Sequence, residues 1–121
     1  MTYLTSSYGL VIIDRSENEW NILNQNNGLK DDILWDLDLY ENSLYIATKY
    51  GISEVSIVSN TVIPNKNNWI EKFDNVEIYD IETDSISFYI SSAKGLFKIT
   101  HDSKEIKKIS NRKFKKIQII D

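Results

Sequence analysis

The 121-residue chain is 41% hydrophobic and 26% charged, carries a formal net charge of -4 and contains no cysteine. This composition indicates one small globular domain, excludes disulfides and thiolate metal sites, and argues against nucleic acid as a partner, because nucleic-acid-binding domains are strongly basic. No stretch approaches the ~18 apolar residues of a membrane span, and the first residues lack the features of a signal peptide, so we expect no membrane segment and no membrane partner.

An internal repeat is the strongest signal in the chain. Tyr3–Leu10, Tyr45–Ile52 and Tyr89–Leu96 align without gaps, and their glycines lie 42 and 44 residues apart. A period of about 40 to 50 residues built from short strands predicts β-propeller blades. Helical repeats of similar period do not fit, because the segments are short and rich in β-branched and aromatic residues. We place each glycine at the turn between the second and third strands of a blade, where positive φ is needed.

The predicted strand order begins inside a blade. With the strands of a blade lettered a to d from the axis outward, the chain reads bcd, abcd, abcd, a. In chain order the predicted strands are Tyr3–Ser6, Leu10–Asp14, Trp20–Leu23, Ile33–Leu39, Leu44–Thr48, Ile52–Ile57, Trp69–Phe73, Val76–Glu82, Phe88–Ser92, Leu96–Thr100, Ile106–Ile109 and Phe114–Ile120. This pattern predicts an all-β partial propeller of about three four-stranded antiparallel blades. Residues 1–121 form a single repeat domain with blade units at about 1–30, 31–74 and 75–110 and a closing strand at 113–121.

Three blades are too few to close a ring, because propellers have four to eight. In one completion, two copies form a twofold dimer in which the strand near Ile117 and Ile119 pairs with the strand near Tyr3 and Thr5 of the other copy, giving six blades. From Lys104 onward the chain carries a net +5 and the remainder -9, which favours contact between the tail of one copy and the body of another. We predict this homodimer. The alternative is that the chain is a fragment of a longer propeller.

The first of the three predicted strands a carries two kinds of candidate residue. Trp35, with its repeat equivalent Tyr79, could stack on a sugar ring near the axis or pack between blades. Asp36 and Asp38 share one side of the strand. Carboxylates lining the polar inner opening of a propeller need no cation, so we predict no metal site.

The middle repeat is longer than its neighbours. Trp69 follows Gly51 by 18 residues, where the equivalent spacing is 11 in the other two repeats, which predicts an insertion at 60–67. Insertions in repeat proteins lie on one face and often bind partners, and Val62 and Ile63 give this loop an apolar tip. These two residues are candidates for contact with a protein partner, and a surface loop without function is the alternative.

Catalytic residues are not evident. His101 is the one histidine, and we place it in a solvated turn between strands c and d. The chain has no Gly-x-Ser-x-Gly nucleophile elbow. We therefore predict that the protein is not an enzyme and has no cofactor.

The middle repeat resembles the two-component regulator propeller family. Asn27-Gly28-Leu29, Leu34 with Leu37, the segment 42–48 and Gly51-Ile52 are similar to the family consensus of Gly-Leu, Val-x-x-Ile, Asn-x-Leu-Trp-Ile-Gly-Thr and Gly-Leu. Where the family has Trp and then Gly in strand b, this chain has the pairs Tyr3 and Thr5, Tyr45 and Ala47, and Tyr89 and Ser91.

The resemblance implies a periplasmic or extracellular sensor module, typically part of a hybrid histidine kinase, whose ring faces bind oligosaccharide or mediate dimerisation. The residues themselves predict a noncatalytic binding or scaffold module that assembles through its terminal strands. A propeller fragment that senses a glycan or another small ligand is the alternative.

Overall fold

Short strands joined by tight turns fill most of the chain in a computed structural model, which describes residues 1–65 and 68–120. The strands form three antiparallel sheets, which we call blades 1, 2 and 3. Blade 1 contains β1 (Thr2–Ser6), β2 (Gly9–Asp14) and β3 (Glu19–Leu23). Blade 2 contains β4 (Asp36–Tyr40), β5 (Ser43–Thr48), β6 (Gly51–Ser56) and β7 (Thr61–Ile63). Blade 3 contains β8 (Ile78–Thr83), β9 (Ser87–Ser92), β10 (Gly95–Thr100) and β11 (Ile106–Ser110). The all-β prediction is confirmed.

The repeat glycines begin β2, β6 and β10, as predicted. Gly95 has φ +121°, and a Cβ added there would lie 2.2 Å from the carbonyl oxygen of Ser110, so neither the turn nor the space accepts another residue. A hydroxyl three residues earlier donates a hydrogen bond to the glycine carbonyl in all three blades, from Ser6 at 2.8 Å, Thr48 at 2.9 Å and Ser92 at 3.0 Å. The turn is therefore a repeated unit of backbone and side chain.

The outer strand of blade 2 differs from the prediction. Trp69–Phe73 is a 3₁₀ helix, and the fourth strand is β7, in which Val62 lies opposite Val55 of β6. The chain reverses directly after β6 through Asn60, whose φ is +55°. The helix starts at Asn68, whose side chain accepts from the Ile70 amide at 2.9 Å. The extra residues thus follow the fourth strand; Lys66 and Asn67 of the predicted insertion lie outside the described residues.

Two hydrophobic cores hold the blades together. The core between blades 1 and 2 is formed by Leu10, Ile12, Leu23, Leu29, Leu34, Leu44, Ile46 and Val55. The core between blades 2 and 3 is formed by Ala47, Ile52, Trp69, Ile70, Phe73, Val76, Ile78, Ile81, Phe88, Ile90 and Ile99. With the blades packed on these cores, the first strands of blades 2 and 3, β4 and β8, lie side by side.

The C-terminal tail, residues 113–120, is not a strand in the part of the chain that the structure describes, so the strand predicted at Phe114–Ile120 is wrong as secondary structure. The tail nevertheless runs along blade 3. The Ile117 amide donates to the Asp80 carboxylate at 2.6 Å, and the Ser91 hydroxyl donates to the Phe114 carbonyl. The last residue of the predicted closing strand, Asp121, lies outside the described residues.

Candidate functional site: the inner strands and the two open ends

An aspartate in each inner strand bonds to the next inner segment. The Ile81 amide donates to Asp36 at 3.2 Å, and the Ile117 amide donates to Asp80 at 2.6 Å. The two hydrogen bonds show which positions of the inner segments are equivalent. Each of these positions lies one residue before an apolar residue: Asp36 before Leu37, Asp80 before Ile81, and Lys116 before Ile117. The tail therefore occupies the place of a strand a in a blade whose remaining strands are not among those described.

The residues one position earlier, Trp35, Tyr79 and Lys115, are therefore equivalent too, and they form a stack that we call the aromatic column. Trp35 and Tyr79 stack with ring centroids 6.1 Å apart and an interplanar angle of 7°, and the Lys115 ammonium lies 4.0 Å from the centroid of the Tyr79 ring. The structure thus brings the candidate residues Trp35 and Tyr79 into contact with each other, a pairing that the sequence analysis did not predict. The outer side of Trp35 has no stacking partner among the described residues, and 43% of this residue is exposed.

Three carboxyl groups lie close together next to this column. Oxygens of Asp36, Asp80 and Glu82 lie within 4.8 Å of one another, and Asp80 is 2% exposed. Burial, together with a hydrogen bond to Asp80, raises the pKa of Asp36 to about 7. Burial also raises the pKa of Glu82, and Asp80 and Asp38 add to this shift.

Three carboxylates are a ligand set that a hard cation could use, but backbone amides already satisfy much of this group. Ile81 and Ile117 donate to it, and the Thr83 amide donates to Asp38 at 2.9 Å. Asp36 and Asp38 act between blades, which the sequence did not reveal, because the accepting and donating residues are 45 positions apart.

Blade 1 is open on its inner edge and on one face. β1 is an edge strand, and the predicted closure residues Tyr3 and Thr5 lie on it. The Tyr3 side chain faces blade 2, where its hydroxyl donates to Asn60 at 2.6 Å, so its contribution to an interface lies in its backbone. The opposite face carries a continuous apolar surface, which we call the open face of blade 1: Leu4, Val11, Ile13, Trp20 and Ile22.

The repeat shows that this face is unusual. Ile46 and Ile90 are the equivalents of Leu4, and both are fully buried, whereas Leu4 is 48% exposed. Trp20 is 70% exposed. This face has the composition of an inter-blade surface, and no blade covers it among the described residues.

Blade 3 is open on the opposite side of the stack. Glu82, Tyr89, Lys98 and Lys107 form one row across this face. The predicted closure residues Ile117 and Ile119 lie against it and, with Tyr89 and Leu96, help to line a cleft of about 430 Å³.

Val62 and Ile63 do not form an exposed loop tip, contrary to the prediction. Both are half-buried in β7, and Val62 packs on the core between blades 1 and 2. They line a cleft of about 510 Å³ beside Gly28 and the ion pair of Lys30 with Asp74, whose N···O distance is 2.9 Å. Their apolar character serves packing between blades.

His101 lies in the predicted turn between the third and fourth strands of blade 3, but contrary to the prediction its side chain is not solvated. It is 4% exposed, its ring stacks on Tyr40 at 3.5 Å, and its Nε2 lies 2.9 Å from both the Thr83 hydroxyl and the Asp84 carbonyl. The carbonyl only accepts, so Nε2 donates there. The imidazole is a buried link between blades 2 and 3.

A larger cleft of about 890 Å³ lies between the outer parts of blades 2 and 3 and is lined in part by Tyr45, Glu54, Trp69 and Lys104. The Glu54 carboxylate accepts from the Ser43 hydroxyl at 2.7 Å and the Tyr45 hydroxyl at 3.4 Å. Burial, with the nearby Glu54 charge, raises the pKa of Tyr45. Sequence reasoning missed this cleft, because it depends on the 3₁₀ helix that replaces the predicted strand.

Comparison with known proteins finds the fold in sensor domains. No family model matches the chain, and no curated protein is similar to it. Two structures of the extracellular domain of BT4673 from B. thetaiotaomicron, a putative one-component or hybrid two-component system, are each 17% identical with a TM-score of 0.63. They match 93% and 88% of this chain, which covers 15% and 14% of theirs. The extracellular domain of the hybrid two-component system BT3049 from the same organism is 19% identical with a TM-score of 0.62, over 87% of this chain and 14% of its own.

The chain therefore has the fold of a segment of these extracellular sensor domains, and it spans about one seventh of their length. This likeness confirms, at the level of fold, the resemblance to the two-component regulator propellers. Among the described residues, no helix is long and apolar enough to cross a membrane.

Proposed function

We propose that the chain is a noncatalytic binding or scaffold module that assembles through its terminal strands, two copies closing a six-bladed ring. The observation that carries this proposal is the pair of complementary open ends. In the part of the chain that the structure describes, one end offers an inner segment without a second strand, and the other offers a second strand, β1, without an inner segment. Unpaired strand edges beside exposed apolar faces are sites where another chain adds.

The fold neighbours and the contacts of the titratable groups support the proposed location of the protein and its proposed noncatalytic role. The fold neighbours are extracellular domains, which supports a periplasmic or extracellular module of the sensing class. Asp36, Asp80 and Glu82 lie close together; Asp36 and Asp80 each accept a backbone amide, and His101 is buried. This arrangement supports a structural role for them rather than catalysis.

The test is the solution mass of the purified chain by light scattering. We expect a stable mass of twice 14.1 kDa, and we expect Ile117→Asp with Ile119→Asp to reduce it to the monomer, because both carboxylates would enter an apolar contact. The matched control is Val58→Asp with Ile86→Asp, which makes the same change at exposed turn positions. A folded monomer of the unaltered chain would refute the assembly and indicate a segment of a longer propeller.

A second candidate function is the sensing of an oligosaccharide at the Trp35–Tyr79 column. The parallel rings and the exposed outer side of Trp35 favour it, because sugars bind on aromatic faces. Titration with oligosaccharides should change Trp35 fluorescence, and Trp35→Leu should abolish binding while Trp20→Leu leaves it unchanged. Equal loss in both variants, or no binding at any concentration, would exclude this column as a sugar site.

A further inference from the structure

The repeat also predicts which residues meet in the ring. Within blade 2, β4 and β5 pair with Leu37 opposite Ile46 and Asp36 opposite Ala47. The equivalents in the tail are Ile117 and Lys116, and the equivalents in β1 are Leu4 and Thr5. Resting on the proposed assembly, we propose that the tail pairs with β1 of a second copy in this register, and that each junction completes a cation–aromatic site that neither copy contains alone.

The site follows from the order of the aromatic column. Trp35, Tyr79 and Lys115 are successive members, and the side of Trp35 away from Tyr79 faces the position of the missing inner segment. In the ring, the tail of the second copy fills that position. Lys115 then lies between Tyr79 of its own copy and Trp35 of the other, and the order Trp, Tyr, Lys is repeated twice around one mouth of the channel.

Charge supports the same register one residue further along. Asp36 and Asp80 are neighbours in successive inner strands, and Lys116 follows them. Lys116 already acts on Glu82 electrostatically, and in the ring it comes between Asp80 of its own copy and Asp36 of the other. Opposite charges thus alternate where the two copies meet, as specific interfaces arrange them.

The blade faces agree with this arrangement. In the ring, the row that contains Tyr89, Lys98 and Lys107 meets the open face of blade 1 of the second copy. Trp20 lies opposite Ile13 in blade 1, as Ile106 lies opposite Ile99 in blade 3. Trp20 therefore faces Lys98 and Lys107 across the junction, where an indole and two ammonium groups attract one another.

Disulfide trapping tests the register, and the lack of native cysteines makes it clean. Leu4→Cys with Ile117→Cys should form a covalent dimer under mild oxidation, seen on non-reducing gels. The matched control, Thr5→Cys with Ile117→Cys, should not, because a shift of one residue places the two side chains on opposite faces. A dimeric mass with trapping only in the control would overturn the register and leave the assembly standing, whereas a monomer would overturn both.

The composite site has its own readout. Lys115→Met and Trp35→Leu should each weaken dimerisation by roughly three- to tenfold, the range expected for a partly desolvated cation–aromatic pair, and the double variant should be no weaker than the worse single. Lys113→Met is the control for loss of charge in the same tail. Additive effects, or an equal effect of the control, would overturn the site while the disulfide result still reports the register.

Discussion

At the scale of single residues, Asp36 links the ionisation of the inner strands to stability. Its carboxyl accepts the Ile81 amide and hydrogen-bonds to the nearly buried Asp80. Two carboxylates at this distance cannot both be ionised without cost. Between about pH 4 and pH 7, we therefore expect the folded protein to hold a proton here that the unfolded chain releases.

Replacing Asp36 should remove this pH dependence. The pKa of Asp36 is raised from 3.8 to about 7 in the folded protein, so its contribution to stability is fully present below about pH 4 and is lost as the pH rises through 7. Asp36→Asn cannot ionise and can still accept the Ile81 amide. We expect it to be more stable than the parent above pH 7 and to approach the parent at pH 4, measured by urea unfolding across this range.

Asp38→Asn is the control for this experiment. It removes the same charge from the same strand and retains an acceptor for the Thr83 amide. A constant difference in unfolding free energy between Asp36→Asn and the parent across pH 4 to 8 would contradict the shared proton.

His101 supplies a second prediction at this scale. His101→Ala removes a buried ring stacked on Tyr40 and removes one of the two donors near the Asp84 carbonyl, which the Thr83 hydroxyl also approaches at 3.0 Å. We expect a loss of about 2–4 kcal/mol in unfolding free energy, from the cavity and the lost hydrogen bond together. His101→Phe keeps the stack and should lose less. Urea unfolding measures both. Equal losses would mean that the stack on Tyr40 contributes nothing, and no loss in His101→Phe would mean that the Nε2 hydrogen bonds contribute nothing.

At the scale of secondary structure elements, the outer strand of blade 2 can be tested by charge. Val62 is half-buried on the core between blades 1 and 2, whereas Val58 in the preceding turn is 77% exposed. Val62→Asp should cost about 1–3 kcal/mol, because it places a carboxylate against apolar neighbours, and Val58→Asp should change the unfolding free energy by no more than about 0.5 kcal/mol. Equal effects in thermal or urea unfolding would contradict the assignment of β7.

The elements that the sequence predicted correctly are those whose formation depends on residues adjacent in the chain. Gly95 and its equivalents must have positive φ, and the alternation beside them fixes the strands. The segment Trp69–Phe73 was wrongly predicted as a strand, because its aromatic residues favour one. Asn68, which precedes it, is a helix-capping residue that could have indicated the 3₁₀ helix. β7 is three residues long and carries little signal of its own.

The contacts that sequence did not predict depend on partners far along the chain. His101 is buried because Tyr40 covers it, 61 residues earlier, and no local pattern encodes that meeting. The cluster of carboxyl groups around Asp36 forms for the same reason. Its members lie on two inner strands that come together only because the blades stack. The aromatic pair Trp35 and Tyr79 was predictable because the repeat itself places the two residues at equivalent positions.

At the scale of the whole molecule, the uneven charge of the chain should govern how fast and how tightly it assembles. The segment from Lys104 onward carries +5 and the rest -9, so the proposed ring brings a basic tail onto an acidic body twice. Attraction between exposed charges is screened over about 10 Å at 0.1 M salt. We therefore expect the dissociation constant of the dimer to rise at least several-fold between about 0.05 and 0.5 M sodium chloride, measured by analytical ultracentrifugation.

Lys116 should carry a recognisable share of this salt dependence, because the ring places it between two aspartates. Lys116→Gln should weaken the dimer at low salt and flatten its response to salt, while Lys113→Gln, which removes the same charge earlier in the tail, should do neither to the same degree. Apolar faces alone would give a dimer that salt leaves unchanged or strengthens. A flat or inverted salt response in the parent would therefore contradict a role for charge in dimerisation. The apolar faces would then be the sole basis of assembly.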